Sequence, residues 1–205
     1  MDNIILVSGR KGVGKDTFCW FFSQNKQRTD SFALADLVKQ MSFDFLKKSL
    51  KCDNIQIEDF FCSVGKEKYL NIPFVKKKIN IRQFIQFFGT DFVKLFLSES
   101  YWVDTLFENL KKREKDDGVK NFIITDIRFP DEIKRFYELV DKDTNIYTIR
   151  IERYSDIRDT HLSETAFDNY DKGFWDFFVL NNKGIEELKF EYMRISQIIF
   201  KEAQF

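Results

Sequence analysis

The residues with the clearest chemical meaning lie near the amino terminus, in the run GRKGVGKDT at residues 9–17. Gly9, Gly14 and Lys15 follow the spacing G-x-x-x-x-G-K, in which glycines let backbone N–H groups turn toward an anion and the lysine adds positive charge. An apolar run at residues 4–7 precedes this loop, and a helical pattern follows it. Strand, glycine-rich loop and helix N-terminus together predict a binding site for the phosphates of a nucleotide.

The loop departs from its usual form directly after Lys15. A Ser or Thr hydroxyl normally follows the lysine and binds Mg²⁺, whereas this chain has Asp16 and then Thr17. Either side chain could contact the metal or position its waters, and the sequence leaves that choice open. We expect Gly12 and Val13 to belong to the same phosphate cradle as the two glycines of the motif.

A second acidic site follows another apolar run, at residues 122–126, which ends in Asp126. An acid at the end of a buried strand beside a phosphate loop holds Mg²⁺ directly or through water; the alternative is an aspartate that caps the next turn. Arg128 lies two residues further on, and an arginine there can bind a phosphate with two hydrogen bonds. Two phosphate-binding features at one sheet edge predict two phosphate-bearing ligands.

The order of elements predicts an α/β fold, with a five-stranded parallel sheet and helices on both faces. Ligands of such sheets bind beyond the carboxyl ends of the strands, which is where the loop and Asp126 would lie. We expect a single domain over residues 1–205. The strands are expected at residues 4–7, 31–34, 122–126, 146–151 and 177–180.

Two insertions are expected in that domain, a helical region over roughly residues 35–115 and a polar, lid-like loop over roughly residues 150–172. Within the first, residues 51–78 show no sustained period and predict short helices and loops. Ile81, Phe84 and Phe88 share one helical face. Gly89 is expected to end that helix, and Thr90 to begin the next one.

Composition narrows the functional classes. The formal net charge is zero, which does not suggest a nucleic-acid surface. The three cysteines have no paired metal spacing and fit free thiols in a reducing compartment. No apolar run approaches the length of a membrane span, and the first residues lack the basic region of a signal peptide. We expect a cytoplasmic protein.

Several motifs, in order along nearly the whole chain, resemble the deoxynucleoside monophosphate kinases of bacteriophages, which are P-loop kinases related to adenylate kinase. The Gly-Lys-Asp-Thr variant of the loop is itself typical of that family. The stretch that resembles it least is residues 51–78. The matching segments are residues 8–17, residues 34–35 with Lys39, Arg82 with residues 89–91, residues 101–102, Asp126 with residues 128–132, and residues 160–164.

The resemblance implies ATP-dependent, Mg²⁺-dependent transfer of the γ-phosphate to a (deoxy)nucleoside 5′-monophosphate. It implies catalytic roles for Lys15, Asp16, Arg128 and Arg158. It implies contacts with ATP by Gly9, Gly12, Val13, Gly14, Lys15, Asp16, Thr17 and Arg153, and with Mg²⁺ by Asp16, Thr17 and Asp126. It implies an acceptor site of Leu34, Ala35, Lys39, Arg82, Gly89, Thr90, Trp102, Asp126, Arg128 and Glu132.

Some of these residues also have simpler interpretations. Arg82 could be a solvated helix arginine, Trp102 a core residue, and Glu132 an acid in the first turn of a helix. Arg150 is expected beside the lid-like loop with Arg153 and Arg158. His161, the only histidine, is expected to bind a phosphate or a loop partner. The segment 163–164 resembles a helix cap as much as a functional pair.

Two alternatives remain open. Animal-type phosphomevalonate kinases share the Gly-Lys-Asp loop and the strand that ends in Asp-x-Arg, and a nucleotide-binding protein without turnover would keep the same loop. The segments 90–91 and 101–102 favour the nucleotide enzymes. The sequence leaves open the preferred base, the choice of deoxyribose over ribose, a homodimer through phenylalanine-rich helices, and a viral origin with location in the host cytoplasm.

Overall fold

The computed structural model describes residues 1–24, 28–73, 75–154 and 165–200. The chain divides into two compact units, one of Met1–Ala33 with Phe107–Phe205 and one of Leu34–Leu106. We call them the sheet unit and the helical unit. The helical unit covers most of the helical insertion that was expected over residues 35–115. Its role in binding an acceptor stays a prediction.

The sheet unit is built on five parallel strands, as the order of elements predicted. The strand order is β2-β3-β1-β4-β5. Because β1 is central, the loop that follows it opens between the ends of β3 and β4. The strands are β1 (Asn3–Ser8), β2 (Thr29–Ala33), β3 (Asn121–Ile127), β4 (Asn145–Glu152) and β5 (Phe177–Leu180).

Both faces of this sheet are buried. On one face, Ile5 and Val7 pack in a core that includes Phe18 and Phe22 of helix α1 (Lys15–Ser23). Helix α6 (Ile185–Phe200) contributes Leu188, Ile195 and Ile199 to the same core. The alternate strand residues Ile4, Leu6, Phe122 and Ile124 are fully buried as well. Continuous apolar strands of this kind are typical of a parallel sheet that is covered on both sides.

A bulge interrupts the pairing of β1 with β3 at the loop edge. Leu6 pairs with Ile124, but Ser8 pairs with Ile127, so Thr125 and Asp126 together face Val7. Asp126 has φ 63°, in the left-handed region that side chains other than glycine rarely occupy. Bulges of this type redirect a side chain at the edge of a sheet.

The helical unit begins with α2 (Leu34–Asp44), which continues into a π-helical turn at Phe45–Ser49. Short 3-10 helices follow at Ile57–Phe60 and Gly65–Glu67, in the stretch where short helices and loops were predicted. Helix α3 (Ile81–Gln86) follows them, and Phe84 and Phe88 stack near Phe45. Helix α4 (Tyr101–Asp117) begins in this unit.

The prediction that Gly89 ends a helix is wrong. The chain continues beyond α3 as a π-helical segment, Phe87–Leu97, that includes both Gly89 and Thr90. Gly89 is buried there, and a Cβ at this position would lie 2.6 Å from Cγ1 of Val38. The glycine therefore permits close packing against α2 instead of marking a helix end.

Helix α5 (Pro130–Leu139) and a 3-10 helix at Lys172–Phe174 complete the described helices of the sheet unit. The proline of α5 stands at the first helical position, where the missing N–H costs nothing. Among the residues that the structure describes, no helix has the length and apolar character needed to span a membrane.

Candidate active site

The phosphate loop, residues 9–17, connects β1 directly to α1. Gly14 precedes α1 with φ 102°, and a Cβ on it would lie 2.7 Å from both Nδ2 of Asn181 and Cδ1 of Leu188. At Gly9, a Cβ would lie 2.4 Å from the carbonyl oxygen of Ile151. Backbone atoms leave no space for a side chain at Gly9, and the left-handed backbone favours glycine at Gly14.

Lys15 is the first residue of α1 and is buried, with 6% of its surface exposed. Its Nζ donates to the carbonyl oxygen of Arg10 at 3.2 Å and lies 3.5 Å from Oδ1 of Asp126. Burial lowers the pKa of this amine below its usual value, and the nearby Asp126 carboxylate opposes part of that shift. A desolvated amine at a helix N-terminus is well placed to bind a phosphate.

Asp126 forms ion pairs with two cationic side chains, because Nη2 of Arg128 also lies 3.4 Å from its Oδ1. Lys15, Asp126 and Arg128 therefore form one charged cluster at the ends of β1 and β3, where the sequence placed them. The left-handed backbone of Asp126 is unfavourable by roughly 1–2 kcal/mol for most residues and less for aspartate. Such strain persists where the surrounding structure enforces it.

Two of the donors expected for Mg²⁺ directly follow Lys15 in the chain. Asp16 and Thr17 lie in the first turn of α1, where Asp16 is exposed and Thr17 half-buried. Within residues 1–24, 28–73, 75–154 and 165–200 there is no cluster of three or more His, Cys, Asp or Glu that could hold a metal. Mg²⁺ in kinases takes one or two protein ligands and completes its shell with phosphates and waters. These donors fit that requirement, and their metal role stays a prediction.

Glu132 is buried and fixes the backbone that follows β3. Its Oε2 accepts hydrogen bonds from the N–H groups of Arg128 at 2.7 Å and Phe129 at 3.0 Å. This is the capping role of an acid in the first turn of a helix, here α5. Glu132 thereby orients the start of the Arg128 segment, while its contact with a substrate stays a prediction.

Arg150, which falls both in the strand expected at residues 146–151 and beside the expected lid-like loop, lies inside β4 with 4% of its surface exposed. The strand register pairs it with Ser8, and its Nη1 donates to Oγ of Ser8 at 3.0 Å. Oγ of Ser8 donates in turn to the carbonyl oxygen of Ile127 at 2.7 Å. The sequence does not predict that Ser8 and Arg150 meet, because two residues 142 positions apart share no local pattern.

Asn181, directly after β5, is a second residue that sequence analysis missed. It is buried, and its Nδ2 donates to the carbonyl oxygen of Val13 at 2.9 Å. Its Oδ1 accepts from the N–H of Gly184 at 3.2 Å. The signal available in the sequence was its position, since polar residues at the carboxyl end of a parallel strand lie at the ligand edge.

The expected lid residues are only partly described. Arg153 is exposed just beyond β4. Oδ1 of Asp168 lies 2.5 Å from Nη2 of Arg10. This ion pair connects the residues that follow the expected lid-like loop to the phosphate loop. Arg158, His161 and the segment 163–164 lie outside the described residues.

In the helical unit, two cationic side chains that are expected to bind the substrate form ion pairs with carboxylates of the chain. Nε of Arg82 donates to Oε1 of Glu67 at 2.7 Å, in a half-exposed ion pair. Nζ of Lys39 lies 2.5 Å from Oδ1 of Asp36 and 5.0 Å from the ring centre of Phe61. Three further expected residues are Leu34, which is buried, and Ala35 and Thr90, which are half-buried.

Trp102 is part of the core of the helical unit. It has 4% of its surface exposed, and its Nε1 donates to the carbonyl oxygen of Gly89 at 2.8 Å. The hydrogen bond satisfies the one polar atom of the indole, so packing accounts for the residue. Its expected contact with a base stays a prediction.

The fold is similar to that of a solved kinase. Dephospho-CoA kinase from Campylobacter jejuni superposes with a TM-score of 0.50 at 16% identity, over 98% of this chain and 100% of that one. At that identity the likeness concerns the fold alone. No curated protein matches the chain.

A family model gives the more specific result. The model described as deoxynucleotide monophosphate kinase matches residues 45–191, which is more than half of the chain. The matched range includes the Asp126–Arg128 cluster, Arg82, Arg150 and Asn181, and the phosphate loop precedes it. The chain therefore belongs to the deoxynucleotide monophosphate kinase family and is a kinase.

Proposed function

We propose that this kinase transfers the γ-phosphate of ATP directly to the 5′-phosphate of a deoxynucleoside monophosphate, giving the diphosphate and ADP. The observation that most supports this chemistry is the cluster of Lys15, Asp126 and Arg128 beside the phosphate loop. The cluster places two cationic side chains at the end of β1, where they can bind anionic oxygens. Cations in that position suit the transfer of a phosphoryl group between anionic ligands.

The donor nucleotide would bind on the phosphate loop. Backbone N–H groups of residues 9–17 would surround the β-phosphate, and Lys15 would follow the moving phosphoryl group. Mg²⁺, held by Asp126 with Asp16 or Thr17, would neutralise phosphate charge. Arg153 and Arg158 would add positive charge from the lid-like loop and exclude water.

The acceptor would be bound through its own phosphate and base. Nε of Arg82 binds Glu67, but 35% of the Arg82 side chain is exposed, so an anionic oxygen can reach its guanidinium. Arg128 and Lys39 would contact the same acceptor. The further acceptor residues we propose are Leu34, Ala35, Gly89, Thr90, Trp102, Asp126 and Glu132.

The mechanism needs no covalent enzyme intermediate. A phosphate acceptor is already ionised at neutral pH, so no general base has to remove its proton. The residues above would align the acceptor oxygen with the γ-phosphorus and stabilise the charge that develops in the transition state. We assign that stabilisation to Lys15, Arg128 and Arg158, and to Asp16 only through the Mg²⁺ that it would hold or whose waters it would position.

The test is a coupled ADP-release assay with Mg²⁺ and ATP against the four deoxynucleoside monophosphates, the ribonucleotides and phosphomevalonate. Turnover with a deoxynucleotide that disappears in Lys15→Ala would support the proposal and reveal the base preference. Turnover with phosphomevalonate alone would indicate the alternative small-molecule kinase. Binding of ATP without turnover on any acceptor would indicate a non-catalytic nucleotide-binding protein.

We further propose a cytoplasmic protein, in the host cytoplasm if the source is viral, that acts on small nucleotides and not on nucleic acid. Its three cysteines are free, which suits a reducing compartment. A homodimer would use the exposed apolar side chains of the π-helical segment, Phe87, Leu95, Phe96 and Leu97. Sedimentation of the purified protein tests the dimer.

A further inference from the structure

The geometry points to Ser8 and Arg150 as positioning residues that hold Asp126 in its left-handed conformation and so aim its carboxylate at Lys15. Neither residue belongs to the phosphate-loop motif or to the expected substrate site. The inference rests on the proposed function only for the role of Asp126 in phosphoryl transfer. The positioning itself is a structural statement that can be tested separately.

The hydrogen bonds that link these residues have a defined direction. An arginine can only donate, so Oγ of Ser8 must accept from Nη1 of Arg150 at 3.0 Å. The single hydroxyl hydrogen of Ser8 is then directed to the carbonyl oxygen of Ile127 at 2.7 Å. This carbonyl belongs to the peptide between Ile127 and Arg128, so the chain of donors fixes the second peptide after Asp126.

The bulge explains why this peptide needs to be fixed. Two residues of β3 face Val7, which leaves the ladder irregular where Asp126 adopts φ 63°. The strands pair once more, at Ser8 and Ile127, where this ladder ends. The side chain of Ser8 therefore adds a hydrogen bond at the first position after the irregularity, next to the residue whose backbone is unfavourable.

Arg150 is held in place by its surroundings. Its guanidinium carbon lies 5.6 Å and 5.8 Å from the ring centres of Phe167 and Trp175. Nε also donates to Oε1 of Glu152 at 3.3 Å. A buried charge is retained only where such contacts compensate its lost hydration. Its guanidinium thus stands at a fixed position from which it can orient the Ser8 hydroxyl.

The first test is structural and needs no turnover. Crystal structures of the unmodified chain and of Ser8→Ala would be compared at Asp126. We expect φ of Asp126 to leave the left-handed region, or the distance between Lys15 Nζ and Asp126 Oδ1 to exceed about 4 Å, the limit of an ion pair. An unchanged backbone and distance in Ser8→Ala would overturn the inference.

The second test is a double-mutant cycle between Ser8→Ala and Asp126→Asn. If Ser8 acts through Asp126, Ser8→Ala lowers kcat about tenfold in the unmodified background, as expected when a reacting group is misplaced. KM for ATP stays within about threefold, and the same change alters kcat less than about twofold beside Asp126→Asn. Equal losses in both backgrounds would show that Ser8 does not act through Asp126.

Three further variants separate positioning from general destabilisation. Ser8→Thr keeps the hydroxyl and should retain the kcat of the unmodified chain. Arg150→Met removes the guanidinium donors and should lower kcat as much as Ser8→Ala does. Thr148→Ala is the matched control, because Thr148 is another buried hydroxyl of this sheet, bonded to Asp176 at 2.8 Å. Thr148→Ala should lower the unfolding temperature and leave kcat unchanged. A loss of kcat in this control as large as that in Ser8→Ala would contradict the assignment.

Failure of the proposed function would look different. If the unmodified chain shows no turnover with any acceptor, the kinase proposal fails, while the crystallographic comparison still decides the positioning. Calorimetric titration with ADP adds a binding measurement for the same variants. We expect Ser8→Ala and Asp126→Asn to change the ADP dissociation constant non-additively, and strictly additive changes would count against the inference.

Discussion

Nζ of Lys15 and Nη2 of Arg128 share one carboxylate oxygen, Oδ1 of Asp126, at 3.5 Å and 3.4 Å. Two positive charges thus meet at one carboxylate oxygen in a largely buried setting. Burial and, to a lesser extent, the positive charge of Arg128 lower the pKa of Lys15, while the carboxylates of Asp126 and Asp16 oppose part of that shift. A bound phosphate would stabilise the charged form of this amine, which is what a phosphate-binding site requires.

Replacing Lys15 with methionine should remove activity without loss of stability. The side chain has 6% of its surface exposed, so methionine fills similar apolar space, and Asp126 keeps Arg128 as its partner. We expect kcat to fall by about 10²–10³ and the free energy of unfolding to stay equal or rise by about 1 kcal/mol. Assays and chemical denaturation measure the two quantities. A large loss of stability in Lys15→Met would mean that the lysine is mainly structural.

Binding of ADP should take up protons at alkaline pH. The pKa of Lys15 is lowered below its usual value of 10.5 by burial, so part of the amine is neutral at a pH where a free lysine is charged. A phosphate beside it favours the charged form and raises the pKa again. Calorimetry at about pH 9 in two buffers of different ionisation enthalpy measures the uptake. The same uptake in Lys15→Met would assign it to another group.

The lowered pKa of Lys15 also determines how the free energy of unfolding changes with pH. Between the lowered pKa of Lys15 and 10.5, the unfolded chain binds a proton that the folded chain does not. The free energy of unfolding contributed by this group therefore rises with pH across that window. The stability advantage of Lys15→Met over the unmodified chain should accordingly shrink as the pH increases from neutral toward 10.5.

The parts of the site that follow from sequence are those with local signals. Gly9, Gly14 and Lys15 lie in one short motif, and an apolar strand before Asp126 places that acid at the same sheet edge. Periodicity and turn residues also predicted all five strands of the parallel sheet. These features depend on neighbours a few residues away, which is the range over which a sequence pattern is informative.

The contacts that complete the site join residues far apart in the chain. Asn181 reaches Val13 across 168 positions, and Arg150 reaches Ser8 across 142. The bulge at Asp126 depends on how β1 and β3 align, which no local pattern records. Gly89 shows the opposite failure, because a residue typical of helix ends is used here for close packing against Val38.

Glu67 should compete with the acceptor for Arg82. Its Oε1 accepts from Nε of Arg82 at 2.7 Å, where an acceptor phosphate would bind. Glu67→Gln keeps the size of the side chain and weakens this half-exposed pair, which is worth about 0.2–1 kcal/mol. We expect KM for the acceptor to fall by up to about fivefold with kcat unchanged.

The control for that prediction is a second surface pair of the helical unit. Lys68 lies 3.0 Å from Oδ2 of Asp59, and Lys68→Gln breaks a comparable contact that does not involve Arg82. This control should leave KM for the acceptor unchanged. An increase of KM in Glu67→Gln would indicate instead that Glu67 orients Arg82 for binding.

Asn181 should control the affinity of the phosphate loop for the donor nucleotide. Its Nδ2 donates to the carbonyl oxygen of Val13, the residue before Gly14, and so holds the loop at the start of α1. Asn181→Ala leaves a buried carbonyl without this donor, and we expect the ADP dissociation constant to rise about tenfold. Asn181→Asp keeps the shape of the side chain but loses the donor, so it should weaken binding at least as much.

Asn121 provides the matched control for Asn181, because its amide is also buried and hydrogen-bonded within the sheet unit. Its Oδ1 accepts from Nδ2 of Asn3 at 2.7 Å, at the amino ends of β1 and β3 and therefore at the opposite edge from the loop. Asn121→Ala should destabilise the fold to a similar extent and leave ADP binding unchanged. If both alanine variants weakened ADP binding equally, the effect of Asn181 would be one of general stability, and the hydrogen bond to Val13 would have no specific role in holding the loop.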